Sequence, residues 1–552
     1  MFDEFKRQVE KKLYKVKPMK VSWDAPLEEP PGDFGDIATA CFVLGPVLKK
    51  SPKNIAEDLT SEIKPSGLIK EVKAAGGYIN FYLDYEKLAP ELINKIKLEG
   101  DNWGRGKEQS KIVLEHTSAN PDGPLHIGHA RNAIIGDTLA RIMRFAGYEV
   151  ETQYYINDMG RQLAVVVWGL ETRALDKIKK DHAISKVYID ANLAVEENPE
   201  YGEAISELMK GYEAGNEHVK EKFEYAANYS MDGVKETLKR VDITHDTFVW
   251  ESTFVRDSSV RKVVEALEGT EYFGEDEVAH LDLQSFGIEK ELVLKRSDGT
   301  YLYATRDIAY HLWKSKRGQV VDVLGADHKL VSSQVAAALE ILGQNAPELI
   351  IYEFISLPEG SMSTRRGVFI SLDELLDESV KRAYGEVDKR RSGEDEEFKS
   401  KIAESIGAGA VRFNIVRIAP EKSMVFRWED ALDFEKQGSP FIQYAYARAC
   451  RILEKEQAAQ DFAVGELKEN ETAVLRLLSK FPGVVTEAAR SRKPALLSAY
   501  ASELAAAFHR FYMFEPVLKS EEKDFRLNLV YVTGITLRNA LNLLGIDAPE
   551  KM

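Results

Sequence analysis

The sequence predicts an α/β multidomain fold: a doubly wound (Rossmann-like) parallel sheet interrupted by an insertion, with an α+β domain before it and an all-α bundle after it. Three observations carry this. A strand–loop–helix–strand succession begins at KIVLEH (Lys111 to His116) and resumes at QVVDVL (Gln319 to Leu324) and LIIYEFI (Leu349 to Ile355). Helical periodicity takes over from about residue 400. At 552 residues the chain exceeds one ordinary core, since domains run about 100–200 residues.

Residues 1–105 read as the α+β unit. EEPPGDFGDIATACFVLGPVLKK has a Pro/Gly break followed by apolar positions at helical spacing, and EVKAAGGYINFYL (Glu71 to Leu83) alternates as one strand after its paired glycines. The Gly-rich link EGDNWGRG (Glu99 to Gly106) closes the unit. Residues 106–399 hold the parallel sheet. KIVLEH is a buried strand, TSANPDGPLHIGH a Pro/Gly loop, and ARNAIIGDTLARIMRFAG a helix with Ile134, Ile135, Leu139, Ile142 and Met143 on one stripe and Gly147 as its C-cap. The strand VETQYYI then reaches Asn157 and Asp158. An insertion spans about 163–290, acidic and helical first, strand-like at VAHLDL and ELVLKR. Residues 400–552 are nearly all helix, as in FIQYAYARACRIL, AVLRLLSKF and ALLSAYASELAAAFHRFY, which suits a bundle.

Composition excludes several classes. With 44% hydrophobic and 30% charged residues the chain is globular, and no run of about 18 apolar residues offers a membrane span. The charged N-terminus lacks the apolar core of a secretory signal. Cys41 and Cys450 lie too far apart in sequence to form a zinc set by spacing, so both read as core thiols in a reducing cytoplasm and no structural metal is expected. A net charge of −16 argues against a generally basic nucleic-acid coat and against DNA as a partner, while leaving room for a local basic patch.

The loop after the first strand of the sheet carries the chemistry. In an open parallel sheet, ligands bind beyond the strand C-termini. There a helix opens with His126, Gly128 and His129. Its N-terminus offers backbone donors and partial positive charge to a phosphate. Imidazoles three residues apart can donate to one phosphate group, and Gly128 leaves room for a flat base on the backbone. Singly, each His reads first as a surface residue at a helix start; the setting between a buried strand and a long helix shifts the reading to a nucleotide site. Downstream, SMSTRRG (Ser361 to Gly367) lies between a strand and a helix, with Arg365 and Arg366 as its cations. By itself it reads as a solvated turn.

SANPDGPLHIGHARN resembles the first signature of class I aminoacyl-tRNA synthetases, in the form used by arginyl-tRNA synthetases. SMSTRRG occupies the place of the second signature, KMSKS, often KMSTRKG in the arginine branch; here Ser361 and Thr364 stand where its two lysines stand. DGTYLYATRD is the most family-specific string. FIQYAYARACRIL, FHRFYMFEPVL and LLGIDAPEKM resemble the helical anticodon-binding domain, and EEPPGDFGDIAT and GGYINFYL resemble an extra N-terminal domain that approaches the tRNA elbow. The resemblance covers nearly the whole chain and is least distinctive at 163–290.

The resemblance implies ligation of L-arginine to tRNA(Arg) with ATP through an arginyl-adenylate, releasing AMP and pyrophosphate, with Mg2+ accompanying ATP and activation that requires tRNA. Catalysis would be positioning and charge stabilisation on phosphates. It assigns His126, His129, Arg365 and Arg366 to catalysis. Pro124, Gly128, His126, His129, Gly325, Asp327, His328, Met362 and Ser363 would bind ATP. Glu115, Asn120, Tyr303, Asp307 and His328 would bind arginine, a guanidinium needing carboxylates in fork geometry. A partner for Asp307 in Arg306 or Lys314 is the ordinary alternative. Asn157 and Asp158 fit the family pattern or serve as loop caps, with Gln162 following them. Tyr444, Tyr446, Phe508 and Tyr512 offer faces for base stacking, though their helical spacing favours core packing for most of them. Asn80 and Tyr82 are candidates for elbow contact. A monomer is expected. Three other readings remain: another class I synthetase, such as that for cysteine, would need zinc-ligand cysteines. A catalytically weak tRNA-binding paralogue would suit the altered second signature. An unrelated nucleotidyltransferase would leave the helical third unexplained.

Overall fold

The computed structural model describes residues 1–16, 23–32, 34–297, 299–356, 370–435 and 437–552. In the N-terminal domain, β1 (Leu27–Glu28), β2 (Ile37–Ala40), β3 (Ile69–Ala75) and β4 (Tyr78–Leu83) form an antiparallel sheet in the order β1-β2-β4-β3. The stretch read as one strand over 71–83 is a hairpin. Gly76 (φ 59°) and Gly77 (φ 96°) are its two turn residues, and a tight turn with positive φ at both positions selects glycine there.

The central sheet is wholly parallel. It takes β5 (Lys111–Glu115), β6 (Glu149–Ile156) and β7 (Thr247–Trp250) and, beyond the small antiparallel sheet of β8 (Phe273–Glu275), β9 (Ala279–Leu281) and β10 (Leu292–Lys295), also β11 (Gln319–Gly325) and β12 (Glu348–Tyr352). Its order is β12-β11-β5-β6-β7. Ile112, Val113 and Leu114 of β5 are fully buried, as a continuous apolar run in a sheet covered on both faces should be. The helix Ile127–Ala146 joins β5 to β6, and the helix Lys329–Ile341 joins β11 to β12. Gly147 (φ 103°) caps the first of these as expected, and a Cβ there would lie 2.6 Å from the Glu108 carbonyl oxygen. One strand departs from the sequence reading: β7 comes from inside the stretch assigned to the insertion. At four residues, TFVW is too short for alternation to mark it.

The insertion packs the helices Lys180–Glu197, Tyr201–Glu213 and Glu217–Arg240 about a core with Leu163, Val166, Ile184 and Phe223. The C-terminal third is helical apart from β14 (Met424–Val425), which pairs in parallel with β13 (Ile355–Ser356). Arg412, on the bundle helix Glu396–Val416, is 1% exposed and reaches Asp137 on the Ile127–Ala146 helix at 2.5 Å. The helix Glu469–Ser491 ties in the N-terminal domain through Arg476–Asp36 at 2.9 Å and Lys480–Glu29 at 2.5 Å. Among the described residues no helix is long and apolar enough to cross a membrane.

Candidate active site

The chain leaves β5 and β11 in opposite directions, so a crevice opens beyond their C-terminal ends, where ligands of such sheets bind. Glu115 ends β5 and pairs in register with Asp322 of β11. Immediately after it, Thr117 (φ 71°) and Ser118 (φ 39°) adopt left-handed backbone. This costs of order 1–3 kcal/mol per residue and persists only where neighbours fix it. Here Thr117 N–H donates to Asn132 Oδ1 at 2.7 Å, Ser118 Oγ donates to Glu115 Oε1 at 2.9 Å, and Tyr155 N–H donates to Ser118 Oγ at 3.0 Å.

The loop then lines a cleft of about 140 Å³ that gathers Asn120, Pro124, His126 and His129 with Asp122 and Gln162. Asn120 Nδ2 donates to Gln162 Oε1 at 2.5 Å. His126 is the N-cap of its helix: its Nδ1 accepts from Gly128 N–H at 3.0 Å and His129 N–H at 3.2 Å, while His129 Nδ1 accepts from His126 N–H at 3.5 Å. The rings stack with centroids 3.6 Å apart. Burial lowers the pKa of both, His129 well below the usual range, with His126 beside it adding to the effect. Two neutral rings with Nδ1 accepting carry their protons on Nε2. One expectation changes. Two of the backbone donors assigned to a phosphate are already bonded to His126, and the space over Gly128 holds the His126 ring, whose Cε1 would lie 2.9 Å from an added Cβ. The donors left for a phosphate are the imidazole Nε2–H groups.

On the other side of β5 lies a buried chain of alternating charges. Lys314 Nζ, with no exposure, sits 2.7 Å from Glu115 Oε2 and 2.7 Å from Asp322 Oδ1. His311 Nε2 lies 2.8 Å from Asp322 Oδ2, and its Nδ1 lies 3.0 Å from Asp307 Oδ1. The partner of Asp307 is thus His311, not the Arg306 or Lys314 that the sequence offered. Arg306 instead faces Glu251, Nε to Oε1 at 2.9 Å, with an angle too poor for a hydrogen bond. Burial raises Glu115, Lys314 draws it back down, and Asp322 and Asp307 push it up, so Glu115 and Asp307 belong to one electrostatic cluster. Tyr303, at the start of the helix Tyr303–Ser315, is raised to about 12 by burial and by Asp307, Asp327 and Glu251.

Two buried acceptors in this cluster have no partner among the described residues: Tyr155 Oη and Glu251 Oε2. Glu251 is 1% exposed, and burial pushes its carboxyl up to about 7, Arg306 opposing. Counting Glu115, Asp307, Asp322 and Glu251 against Lys314, His311 and Arg306, the cluster carries one negative charge in excess when all are ionised. Unpaired acceptors and a missing cation fit a ligand with a charged, multi-donor head. Sequence reasoning missed Glu251, Tyr155, Asp122 and His311. His311 was readable, four residues after Asp307 on one helical face; Glu251 was not, being alone in a stretch with no motif.

Gly325 ends β11, and a Cβ there would lie 2.4 Å from Asp327 Oδ1. Asp327 and His328 follow it, both exposed and 3.7 Å apart as a pair. Met362, Ser363, Arg365 and Arg366, with Ser361 and Thr364, lie outside the described residues. The chain just after them is joined to the first signature. Ser371 bridges His126 main chain to main chain, and Leu372 N–H donates to the Leu125 carbonyl at 2.7 Å. Asp158 serves as a cap, accepting from Ser252 N–H at 2.9 Å and from Tyr212 Oη, while Asn157 Oδ1 is buried and unpartnered among the described residues. Asp181, His182 and Asp373 lie close enough to share a metal ion, but Lys179 Nζ already sits 2.9 Å from Asp181 and 2.7 Å from Asp373.

In the bundle, Tyr446 and Phe508 are core residues. Tyr444 and Tyr512 are exposed, and the Arg448 guanidinium lies 4.7 and 4.4 Å from their ring centroids. They line a cleft of about 780 Å³ with Arg451 and Lys455. Asn80 is 2% exposed, which removes it as a surface contact.

The chain matches the model of the tRNA synthetases class I (R) catalytic domain over residues 92–428, the arginyl tRNA synthetase N terminal domain over 3–83 and the DALR anticodon binding domain over 442–552. It is 53% identical to an arginine–tRNA ligase of Methanocaldococcus jannaschii over 549 residues, covering 96% of each chain. It is 51% identical to one of Methanococcus aeolicus over 548 residues, covering 95% of this chain and 96% of that one. The solved arginyl-tRNA synthetase of Thermus thermophilus superposes with a TM-score of 0.84 at 28% identity, over 99% of this chain and all of that one.

Proposed function

Because the chain belongs to the arginyl-tRNA synthetases, class I enzymes that join arginine to its tRNA with ATP through an aminoacyl-adenylate, we propose how its own residues divide that work. The other class I synthetases and the weak paralogue are not favoured by these matches.

Arginine's guanidinium enters the cluster bounded by Asp307, Glu251, Tyr155 and Tyr303. Its N–H groups meet the two unpartnered acceptors, and its charge cancels the excess. Asn120 lines the cleft and Glu115 ends the strand that leads to it, and the α-amino and carboxylate ends of the substrate come to rest there. ATP lies along Pro124 and the His126 and His129 rings, with Gly325, Asp327 and His328 toward the ribose; Gly128 instead gives its N–H to His126. The Nε2–H groups of His126 and His129 donate to phosphate oxygens as the arginine carboxylate attacks and pyrophosphate leaves. As neutral donors they need no deprotonation near neutral pH. Arg365, Arg366, Met362 and Ser363 are assigned to the departing pyrophosphate on their place in the sequence alone.

Mg2+ is expected to accompany ATP, and Asp122 is the one carboxylate among the described residues that line this cleft. Burial raises Asp122 to about 7, and among the residues lining the same cleft none is Lys or Arg. When bound, Mg2+ supplies positive charge to the phosphates, and Asp122 would hold it. Tyr444, Arg448 and Tyr512 receive tRNA bases by stacking. We divide the chain near residues 105 and 399 and expect a cytoplasmic monomer.

The observation carrying this reading is the convergence of Asp307, Glu251 and Glu115 in a cluster one charge in excess, at the end of the strand whose following loop carries the His126–His129 pair. ATP–pyrophosphate exchange with each amino acid, with and without tRNA, tests it. Arginine-specific exchange is expected, and it should appear only with tRNA; exchange driven by another amino acid, or none at all, overturns it.

A further inference from the structure

We infer that His311 is a positioning residue of the arginine pocket: wedged between Asp322 of β11 and Asp307, it holds the Asp307 carboxylate aimed into the pocket, and so sets arginine affinity without touching arginine. This rests on Asp307 belonging to the pocket.

The geometry starts from a repulsion. Glu115, Asp322 and Asp307 are three carboxylates in one cluster, the first two buried. Left alone, desolvation and mutual repulsion would protonate at least one of them and blunt the pocket's charge. Two cations are interleaved between them. Lys314 Nζ takes Glu115 and Asp322 at 2.7 Å each. His311 takes the other Asp322 oxygen at 2.8 Å through Nε2, and Asp307 Oδ1 at 3.0 Å through Nδ1, which also lies 2.8 Å from the Asp307 carbonyl oxygen. Both ring nitrogens therefore face carboxylate oxygens. Only the imidazolium can donate to both; a neutral ring would set a lone pair against one of them.

The charged groups facing the ring are Asp307 and Lys314 on its own helix and Asp322 on β11; Glu115 on β5 stands beyond Lys314. Burial and Lys314 lower the imidazole, but the two aspartates outweigh them and lift it to about 10. It stays charged across the working pH range, so both ring N–H groups remain donors to the carboxylates of Asp307 and Asp322 when arginine arrives. The ring is 6% exposed and packs edge-on to Tyr310, whose phenol donates to Gln153 at 2.8 Å, so its orientation is fixed from behind. Affinity set by such a supporting contact is expected to fall roughly 10-fold or more when the contact is removed.

Two measurements test this. Imidazole nitrogen NMR of the wild-type protein at pH 8.5, without ligands, should show His311 doubly protonated among the ten histidines. A neutral tautomer there overturns the inference, and this readout needs no variant to fold if His311 is assigned by selective labelling and its contacts to Tyr310. Second, His311→Asn should raise the arginine KM roughly 10-fold or more, with kcat at saturating arginine and the ATP KM within about twofold. A His311→Asn enzyme that merely loses thermal stability or kcat, with arginine KM unchanged, shows a structural role only and overturns it. Asp307→Asn separates the two levels. If it too leaves arginine KM unchanged, the pocket reading has failed; if it raises KM and His311→Asn does not, only the role of His311 has.

Discussion

Arg131, five residues after His126, is fully buried, and no carboxylate pairs with it among the described residues. Its Nη1 donates to the carbonyls of Glu353 at 2.6 Å and Phe354 at 3.2 Å; its Nη2 donates to those of Ala419 at 3.3 Å, Pro420 at 3.3 Å and Lys422 at 2.7 Å. Those stretches flank β13 and β14, so this one side chain holds the first-signature helix to both. Replacing it by methionine keeps much of the volume and strands the carbonyls. Charged-donor bonds contribute about 1.5–3 kcal/mol each. Against them stands the several kcal/mol needed to dehydrate the guanidinium, relieved in the variant. A net local loss of about 3–5 kcal/mol follows, or two to three and a half decades in the opening equilibrium. Amide hydrogen exchange reads this directly. In Arg131→Met, exchange at 350–356 and 417–425 should quicken by roughly 10²-fold or more, while the N-terminal sheet stays protected. Exchange within about threefold of wild type in both stretches would falsify the claim that Arg131 holds them.

Arginine binding should strengthen as pH rises from about 6 to 8. The Glu251 carboxyl, raised to about 7, ionises over that interval, and Glu251→Gln should weaken binding and flatten the dependence; a pH profile unchanged by the substitution refutes this. Stability should move with pH through the buried pair His116–His245, whose rings lie 4.2 Å apart. Burial lowers His245 to about 4 and, with His245 beside it, holds His116 well below its usual range, so in acid the unfolded chain binds protons that the folded one does not. Their stabilisation is complete above about 6.5 and is lost as pH falls toward 4, at about 1.4 kcal/mol per pH unit for His245 alone; flat denaturant midpoints from pH 7 to 5 would exclude it. Gly147→Ala meets both a left-handed φ and the Glu108 carbonyl at 2.6 Å, so it should lower the melting temperature by an amount matching at least about 1–2 kcal/mol, measured calorimetrically.

Much of this architecture can be read in advance because parallel strands buried on both faces write long apolar runs, and helices write their period. KIVLE, QVVDVLG and the stripe from Ile134 to Met143 all do so. TFVW does not, because four residues carry no period and only pairing with β6 makes them a strand. In the site, residues that sit in contiguous strings, His126 with His129 and Tyr303 with Asp307, were visible together. Glu251 and Tyr155 were not: they come from separate elements, and what marks them is an oxygen without a donor, which exists only after folding. The capping role of the His126 Nδ1 was equally invisible, since a sequence does not say which ring nitrogen turns inward.

Ser371 meets His126, and Leu372 meets Leu125, through peptide groups rather than side chains. An attachment of that kind is indifferent to what the neighbouring residues are, so long as none of the donors is a proline. Side-chain replacements at Ser371 and Leu372 that keep the peptide N–H therefore leave the chain tied beside the histidine pair, whereas a proline at Leu372 would remove the donor and cut the tie.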